Sequence, residues 1–565
     1  MHTNQDNINI VVALLKQNNI KQIVISPGGT NIPLIKAIQD DTFFKCYSVV
    51  DERSAVYFAI GLFLQTGEIV AMSCTSAQAT RNYVPGLTEA YYKRVPILAI
   101  TMSKHPRFTY QEYMQAPDQT SLPNDAVKAS YTLAYVTDDN SYLHSNRIAN
   151  EAILELSHKG FGPVQLNIPW LDFKLDAEVS YIRSIMKYTI CSSWDDLVLE
   201  GKNVLIVIGE HRPFNGIQKS SIEAFCDSYD AVVYTNHLSN YHGKYSIKAN
   251  LQMTTMTQEK FAEEFKPNVI ISIGGQTGDY PLYHQLRKVG LQNVEHWRVS
   301  MDGNVVDTYD KLTKIFECSE EYFFNKLISS KKSKHMYYEK WDSLVSTSKL
   351  DSEVPFSNVY AAQKLHKLIP TNSNIQFSIL NSLRVWNLYP LNSNVNCFSN
   401  VGAFGIDGGM STLIGQSMAT NNLCFMVIGD LAFLYDMNCL SIRGIGNNVR
   451  ILLVNNNGGL EFKLWGENAK EQNRYVAAGD SFSTARGWAE SCGFDYISAK
   501  DCSEFDASCS RFVSPSKKPI LLEIFVCDED EKVAYHTTLD ANREFSNTDL
   551  LKRNFKKGLK SLLRK

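Results

Sequence analysis

The chain lacks a dominant charge. Its 56 basic and 59 acidic residues leave a net charge of −3, so the whole molecule is not expected to be drawn to nucleic acid or an anionic membrane. It lacks any apolar run of membrane-spanning length. The N-terminus, MHTNQDNINIVVALLKQNNIKQ, has no basic start followed by an apolar run and a small-residue cleavage site, so no signal peptide is expected. Twelve cysteines are present without a CxxC pair, and Cys74, Cys424 and Cys439 sit inside apolar runs. Scattered thiols of this kind fit a reducing cytoplasm better than a disulfide frame or a zinc site. IGGQTG (273–278) follows an apolar run but lacks the full glycine fingerprint of a dinucleotide site, and reads as a turn.

What is present is ordinary globular composition, 44% hydrophobic and 20% charged. A length of 565 residues exceeds a single core and suggests three domains of roughly 150–200 residues. Short β-branched runs alternate with helical stretches, which argues for an α/β chain of parallel sheets flanked by helices. KQIVIS, IVAMSCTS, VPILAIT and GPVQLNIPW form a first group of strands, and NVLIVIG, AVVYTN, NVIISIGG and HWRVSMD a second. Polar stretches near 172–200 and 329–355 place the boundaries, giving domains at 1–180, 185–345 and 350–565. The basic C-terminal stretch LLKRNFKKGLKSLLRK reads as a solvated helix docked on its own domain.

Chemistry concentrates in GDLAFLYDMNCLSIRGIGNNVRILLVNNNGG (429–459). CFMVIG and RILLVNN read as buried strands, and FLYDMNCLSIRGIG between them has helical apolar spacing. A strand–helix–strand crossover puts Asp430 and Asn456 at carboxyl ends of parallel strands, the edge where ligands of open α/β sheets gather. Mg2+ takes a few hard oxygen ligands and leaves the rest to phosphate and water. Asp430 offers a carboxylate, Asn456 an amide oxygen and Gly458 a backbone carbonyl, while Gly458 and Gly459 permit close backbone approach. The N-terminus of the helix after Asp430 favours phosphate. Either end alone is a bland strand terminus; the two together, with 24 residues between Asp430 and Asn455, are not.

This pattern resembles the Gly-Asp…Asn-Asn signature of thiamine-diphosphate (ThDP) enzymes, with Leu431 where most have glycine. Within them, GDLAFLYDMNCL and VNNNGG are most similar to the MenD family of menaquinone-pathway synthases. Those enzymes join a succinic semialdehyde unit, made from 2-oxoglutarate, to isochorismate. VDERSAVYFAIG, SPGGTNIPL, TSAQATRNYVPGLTEAYYKRVPILAIT, GPVQLNIP, NSL and SNVGAFGIDGGMSTLIG match further blocks in order. The resemblance implies three doubly wound parallel-sheet domains: pyrimidine-binding, central and diphosphate-binding. It implies ThDP and Mg2+ as cofactors, Glu52 as the carboxyl group that activates the aminopyrimidine ring, and Asp430, Asn456 and Gly458 as metal ligands. By the same match Ile406 holds the cofactor bent. Ser382, Gly405, Gly429 and Leu431 line the cofactor, Phe462 faces the reacting carbon, and Gln115 is an active-site glutamine. Taken without the resemblance, Asp51 and Glu52 are simply acids favourable at a helix N-terminus.

The match breaks where the family grips carboxylates. Thr30, Val401 and Trp386 stand where it has arginines, no cation falls near Thr277–Tyr280 in place of a Lys-Arg pair, and Lys104 stands in for one further arginine. Gly29, Thr30, Lys104 and Phe462 are the substrate-facing candidates. The expectation is therefore ThDP- and Mg2+-dependent decarboxylation of a 2-oxo acid, with transfer of the acyl carbanion to a carbonyl or other acceptor that is not isochorismate. The alternatives are the menaquinone synthase reaction itself, simple decarboxylation releasing aldehyde, and a non-catalytic ThDP-binding protein. The resemblance also implies a homodimer or homotetramer whose active site lies at a subunit interface.

Overall fold

The structure is a computed structural model and describes residues 6–109, 116–169, 183–288, 293–402, 405–461 and 482–543. Contacts gather the chain into two compact units, Met1–Ser193 with Met301–Glu317, and Trp194–Ser300 with Cys318–Lys565.

The first unit is built on a six-stranded parallel sheet in the order Lys45–Ser48, Gln22–Ile25, Val70–Cys74, Ile97–Ser103, Val164–Pro169, Ser130–Thr132. Successive side chains of a strand leave opposite faces. Accordingly Ile23, Ala71, Leu98 and Ile100 join one core with Val11 and Leu14 of helix Asp6–Gln17. Val24, Met72, Ile97 and Ala99 join another with Val56 and Ala59 of helix Glu52–Thr66. Burial on both faces is why these strands read as unbroken apolar runs. A parallel pair, Met186–Thr189 with Leu312–Glu317, completes the unit.

The second unit holds two parallel sheets. One carries five strands in the order Ser246–Ile247, Ala231–Tyr234, Val204–Ile208, Val269–Ile273, Glu295–Val299. The other has six: Asn396–Ser399, Asn374–Phe377, Cys424–Gly429, Val449–Asn455, Ile520–Phe525, Asp495–Ala499. Phe425, Val427, Leu452 and Val454 face one core; Met426, Ile428, Ile451 and Leu453 face the other. The expected α/β chain of parallel sheets is what forms. Numbered along the chain, the strands of both six-stranded sheets run 2-1-3-4-6-5. This repetition is not visible in the sequence. In each sheet the winding direction reverses between strands 1 and 3, which opens a crevice at their carboxyl ends.

One element differs from expectation. The helix anticipated over 433–446 is α-helical only through Asp430–Asp436, followed by a 3-10 turn, Met437–Ser441. Asp436 leaves helical geometry at φ −130°, and its carboxylate accepts bonds from Ser411 N (2.7 Å) and Ser411 Oγ (2.6 Å). The side chain is held by a neighbouring helix, so the element stops there. Among the described residues no helix is long and apolar enough to cross a membrane.

Candidate active site

In the second unit the crevice lies between Asn374–Phe377 and Cys424–Gly429. Gly429 pairs with Val454 across the sheet, so Asp430 and the Asn455–Gly459 turn emerge side by side. Asp430 is only 1% exposed. Its Oδ2 accepts N–H bonds from Gly458 (2.9 Å) and Asn456 (3.2 Å), and Oδ1 from Leu431 (2.7 Å). Asn456 Oδ1 accepts from Gly459 N (3.0 Å). The turn is left-handed over three residues, with φ of 58° at Asn457, 134° at Gly458 and 75° at Gly459. Glycine at two of the three positions makes such a run tolerable. Asp430, Asn456 and Gly458, three residues named from the sequence as metal ligands, thus converge.

A buried carboxylate held by N–H donors and by no cation among the described residues is poised for a positive partner. One carboxylate, one amide oxygen and one carbonyl is a hard donor set suited to Mg2+ completed by phosphate and water. Among the described residues no group of three His, Cys, Asp or Glu offers a competing all-protein metal site. The residues therefore fit a metal-bound diphosphate.

Strand 1 of this sheet leads through Leu380 into helix Asn381–Trp386, which carries the buried Ser382. Leu380 has φ 63°, ψ −124°. Ala77, following strand 3 of the first unit's sheet, has nearly the same values, φ 69°, ψ −121°. Non-glycine residues rarely adopt this conformation, and such strain collects at functional sites. Both residues lie at switch crevices, a signal that sequence could not give. Ile406 is partly buried against both cores of its sheet. A Cβ on Gly405 would meet only the exposed Asp407 side chain. Gln115 and Phe462 lie outside the described residues.

In the first unit the Pro-Gly-Gly-Thr loop follows strand 1. Asn31 braces it, accepting from Gly28 N (2.8 Å) and donating to Ser26 O (3.0 Å). Thr30 is 4% exposed. Its hydroxyl is shared with Thr75 Oγ1 (2.8 Å) and accepts from Ser76 N (3.1 Å). A Cβ on Gly29 would meet nothing within 4 Å. Asp51 caps helix Glu52–Thr66, accepting from Arg53 N, and the Ser54 hydroxyl bonded to it lowers its pKa. That leaves Glu52 free of the capping task. Its Oε2 accepts from Asn82 Nδ2 at 3.0 Å, a partner the sequence did not single out. Glu52 is half-buried. Lys104 is half-buried at the end of strand Ile97–Ser103.

Two cations in or beside the matched blocks, Arg81 and Arg384, have structural partners. Arg81 donates to Asp118 O (2.7 Å), and Arg384 forms a two-pronged pair with Glu461 (2.8 and 2.9 Å). Val401 and Trp386 are buried in the core, and the Trp386 indole N–H donates to Asn358 Oδ1.

Residues 8–122 match the model of the thiamine pyrophosphate enzyme N-terminal TPP binding domain. Across nearly the whole chain the protein is similar to proteins named 2-succinyl-5-enolpyruvyl-6-hydroxy-3-cyclohexene-1-carboxylate synthase. The one from Phocaeicola vulgatus is 32% identical over 547 residues, covering 94% of this chain and 97% of the relative. That of Bacteroides fragilis is 32% identical over 549 residues, covering 93% and 97%. That of Flavobacterium johnsoniae is 28% identical over 539 residues, covering 91% and 95%.

Proposed function

The chain belongs to the ThDP-dependent family of 2-succinyl-5-enolpyruvyl-6-hydroxy-3-cyclohexene-1-carboxylate synthases, and from that premise we propose that it catalyses the reaction for which those relatives are named. It is a ThDP-dependent enzyme, and its cofactors are ThDP and a divalent metal. The proposed donor is 2-oxoglutarate and the proposed acceptor isochorismate, with the reaction taking place in the cytoplasm. The observation that carries the proposal is full-length similarity to the synthases joined to an Asp430–Asn456–Gly458 turn whose oxygens suit a metal-bound diphosphate.

When bound, the cofactor supplies the carbon nucleophile that releases CO2 from a 2-oxo acid. The protein's part in this reading is to bind, orient and move protons. Asp430, Asn456 Oδ1 and the Gly458 carbonyl would hold the metal, and Glu52 would exchange a proton with the aminopyrimidine ring. Ile406 supports the bent cofactor, and Ser382, Gly405, Gly429 and Leu431 line it. By the family match Phe462 would face the reacting carbon and Gln115 would be an active-site glutamine, with Gly29, Thr30 and Lys104 on the substrate side. The division into domains at 1–180, 185–345 and 350–565 belongs to the same reading. So does a homo-oligomer in which Glu52 and the Asp430 turn meet across a subunit boundary.

A second reading keeps the donor chemistry and changes the acceptor. It is favoured by the loss of cationic side chains at Thr30, Val401 and Trp386, since carboxylates are best held by guanidinium groups. The similarity to named synthases weighs more heavily, so the synthase reaction is placed first. Purified protein with ThDP and Mg2+ decides between them. CO2 release from 2-oxoglutarate coupled to consumption of isochorismate supports the first reading. Coupling to other carbonyls but not to isochorismate supports the second, and aldehyde release alone indicates a simple decarboxylase. Cofactor binding without CO2 from any 2-oxo acid would remove catalysis altogether.

A further inference from the structure

Glu523 sits in the middle of strand Ile520–Phe525, paired with Leu453 and flanked by the core residues Leu522 and Ile524. It is 0% exposed. A carboxylate in such a position is expensive to bury unless its oxygens are fully served. Four donors serve them: Asn455 Nδ2 (2.8 Å), Thr484 Oγ1 (2.8 Å), Tyr496 OH (2.7 Å) and Ala485 N (3.0 Å). No cation among the described residues pairs with it. Its neighbours in the strand are aliphatic, so the fold itself does not call for an acid here.

What Glu523 touches supplies a reason. Asn455 is the last residue of strand Val449–Asn455, immediately before the metal-holding turn. A carboxylate can only accept, so it obliges Asn455 to present its NH2 and to turn its amide oxygen the other way. That oxygen accepts from Asn457 N (3.2 Å), the first residue of the left-handed run. The run in turn delivers Gly458 N to Asp430 Oδ2.

We propose that Glu523 is a positioning residue for the metal site: it fixes the Asn455 amide, which sets the backbone of 456–458 so that the oxygens of Asp430 and Asn456 converge on one cation. The proposal rests on the reading that this turn holds Mg2+ and the diphosphate. Groups behind the ligands of a metal site commonly change metal affinity by about 10–100-fold when removed.

The test is a Mg2+ titration of ThDP binding to the full-length protein by calorimetry, with apo melting curves and CO2 release at saturating metal measured alongside. Asn455→Ala cuts the link while leaving Glu523 three of its donors. It is expected to weaken the Mg2+ midpoint by about 10-fold or more while saturating turnover stays within about threefold. Glu523→Ala is expected to shift the midpoint likewise. Glu523→Gln keeps the oxygen that accepts from Asn455 Nδ2 and lies 3.3 Å from Ala485 N, and its NH2 can donate to the Thr484 and Tyr496 hydroxyls, which turn to accept. Its midpoint is expected within about threefold of wild type. A folded Asn455→Ala with a wild-type Mg2+ midpoint overturns the proposal, whether or not Glu523→Ala folds. A lowered apo melting temperature with an unmoved midpoint overturns it too, because that is the mark of a merely structural role. Asp430→Ala separates the two levels. If it retains wild-type Mg2+ dependence, the reading of the turn fails. If it loses cofactor while Asn455→Ala does not, only the role of Glu523 fails.

Discussion

Two adjacent acids, Asp51 and Glu52, divide their work at the residue scale. Asp51 is the helix cap, and Glu52 turns to Asn82. A general acid–base group is worth about 10²–10⁴-fold in rate. Glu52→Gln keeps shape and loses proton exchange, so turnover is expected to fall by about that factor while calorimetric ThDP affinity stays near wild type. Comparable turnover in Glu52→Gln would remove the residue from catalysis. Asp430→Ala acts at the other end of the cofactor and is expected to reduce Mg2+-dependent ThDP binding, read by the same calorimetry. The convergence of Asp430, Asn456 and Gly458 was legible in sequence because these residues lie close together around one crossover. Asn82 and Glu523 were not, since Glu52 meets Asn82 30 positions on and Asn455 meets Glu523 68 positions on. No local pattern marks such pairs.

Elements carry their own electrostatics. Helix Asp528–Asn542 begins with four acids, Asp528, Glu529, Asp530 and Glu531. Acids in a first turn gain from the helix N-terminus, and Glu529 does so in solvent, but Glu531 is buried and accepts from Asn358 N (2.7 Å). Burial, aided by the neighbouring Asp528 and Asp530 charges, raises its pKa from 4.5 to about 7. A raised carboxyl pKa means that the folded state binds the proton more tightly than the unfolded state. Its stabilising contribution is complete below pH 4.5 and disappears as pH rises through about 7. Glu531→Gln keeps the acceptor and removes the titration. It is expected to melt higher than wild type at pH 8, by an amount worth about 1–3 kcal/mol, with the difference vanishing below pH 4.5. An equal difference at both pH values would contradict the argument. Parallel α/β elements were legible from β-branched runs buried on both faces. The shortened helix after Asp430 was not, because apolar spacing continues past the point where Asp436 is captured by Ser411. Nor was the shared 2-1-3-4-6-5 order, since strand order is a long-range property that survives when the sequences of two sheets diverge.

For the whole molecule, the surface of the first unit poses a problem that a lone chain does not solve. Val50 is 75% exposed, Tyr57 48%, Phe58 42%, Leu64 64% and Tyr92 70%. Four of the five lie on or just before helix Glu52–Thr66, whose opposite face is packed by Val56 and Ala59. Large apolar side chains gathered on one element mark a contact surface, and this element carries Glu52 in its first turn. An oligomer that covers the helix would also enclose the half-exposed carboxylate, supplying the desolvation that suits an acid–base group. Tyr57→Asp with Leu64→Asp places charges on that surface without touching the core. The double variant is expected to sediment as a monomer where wild type sediments as an oligomer. It should keep an intact circular dichroism spectrum and lose turnover by about 100-fold or more, as removal of an acid–base group would require. A folded monomeric variant with wild-type turnover would mean that Glu52 needs no second subunit, and the interfacial active site would have to be abandoned.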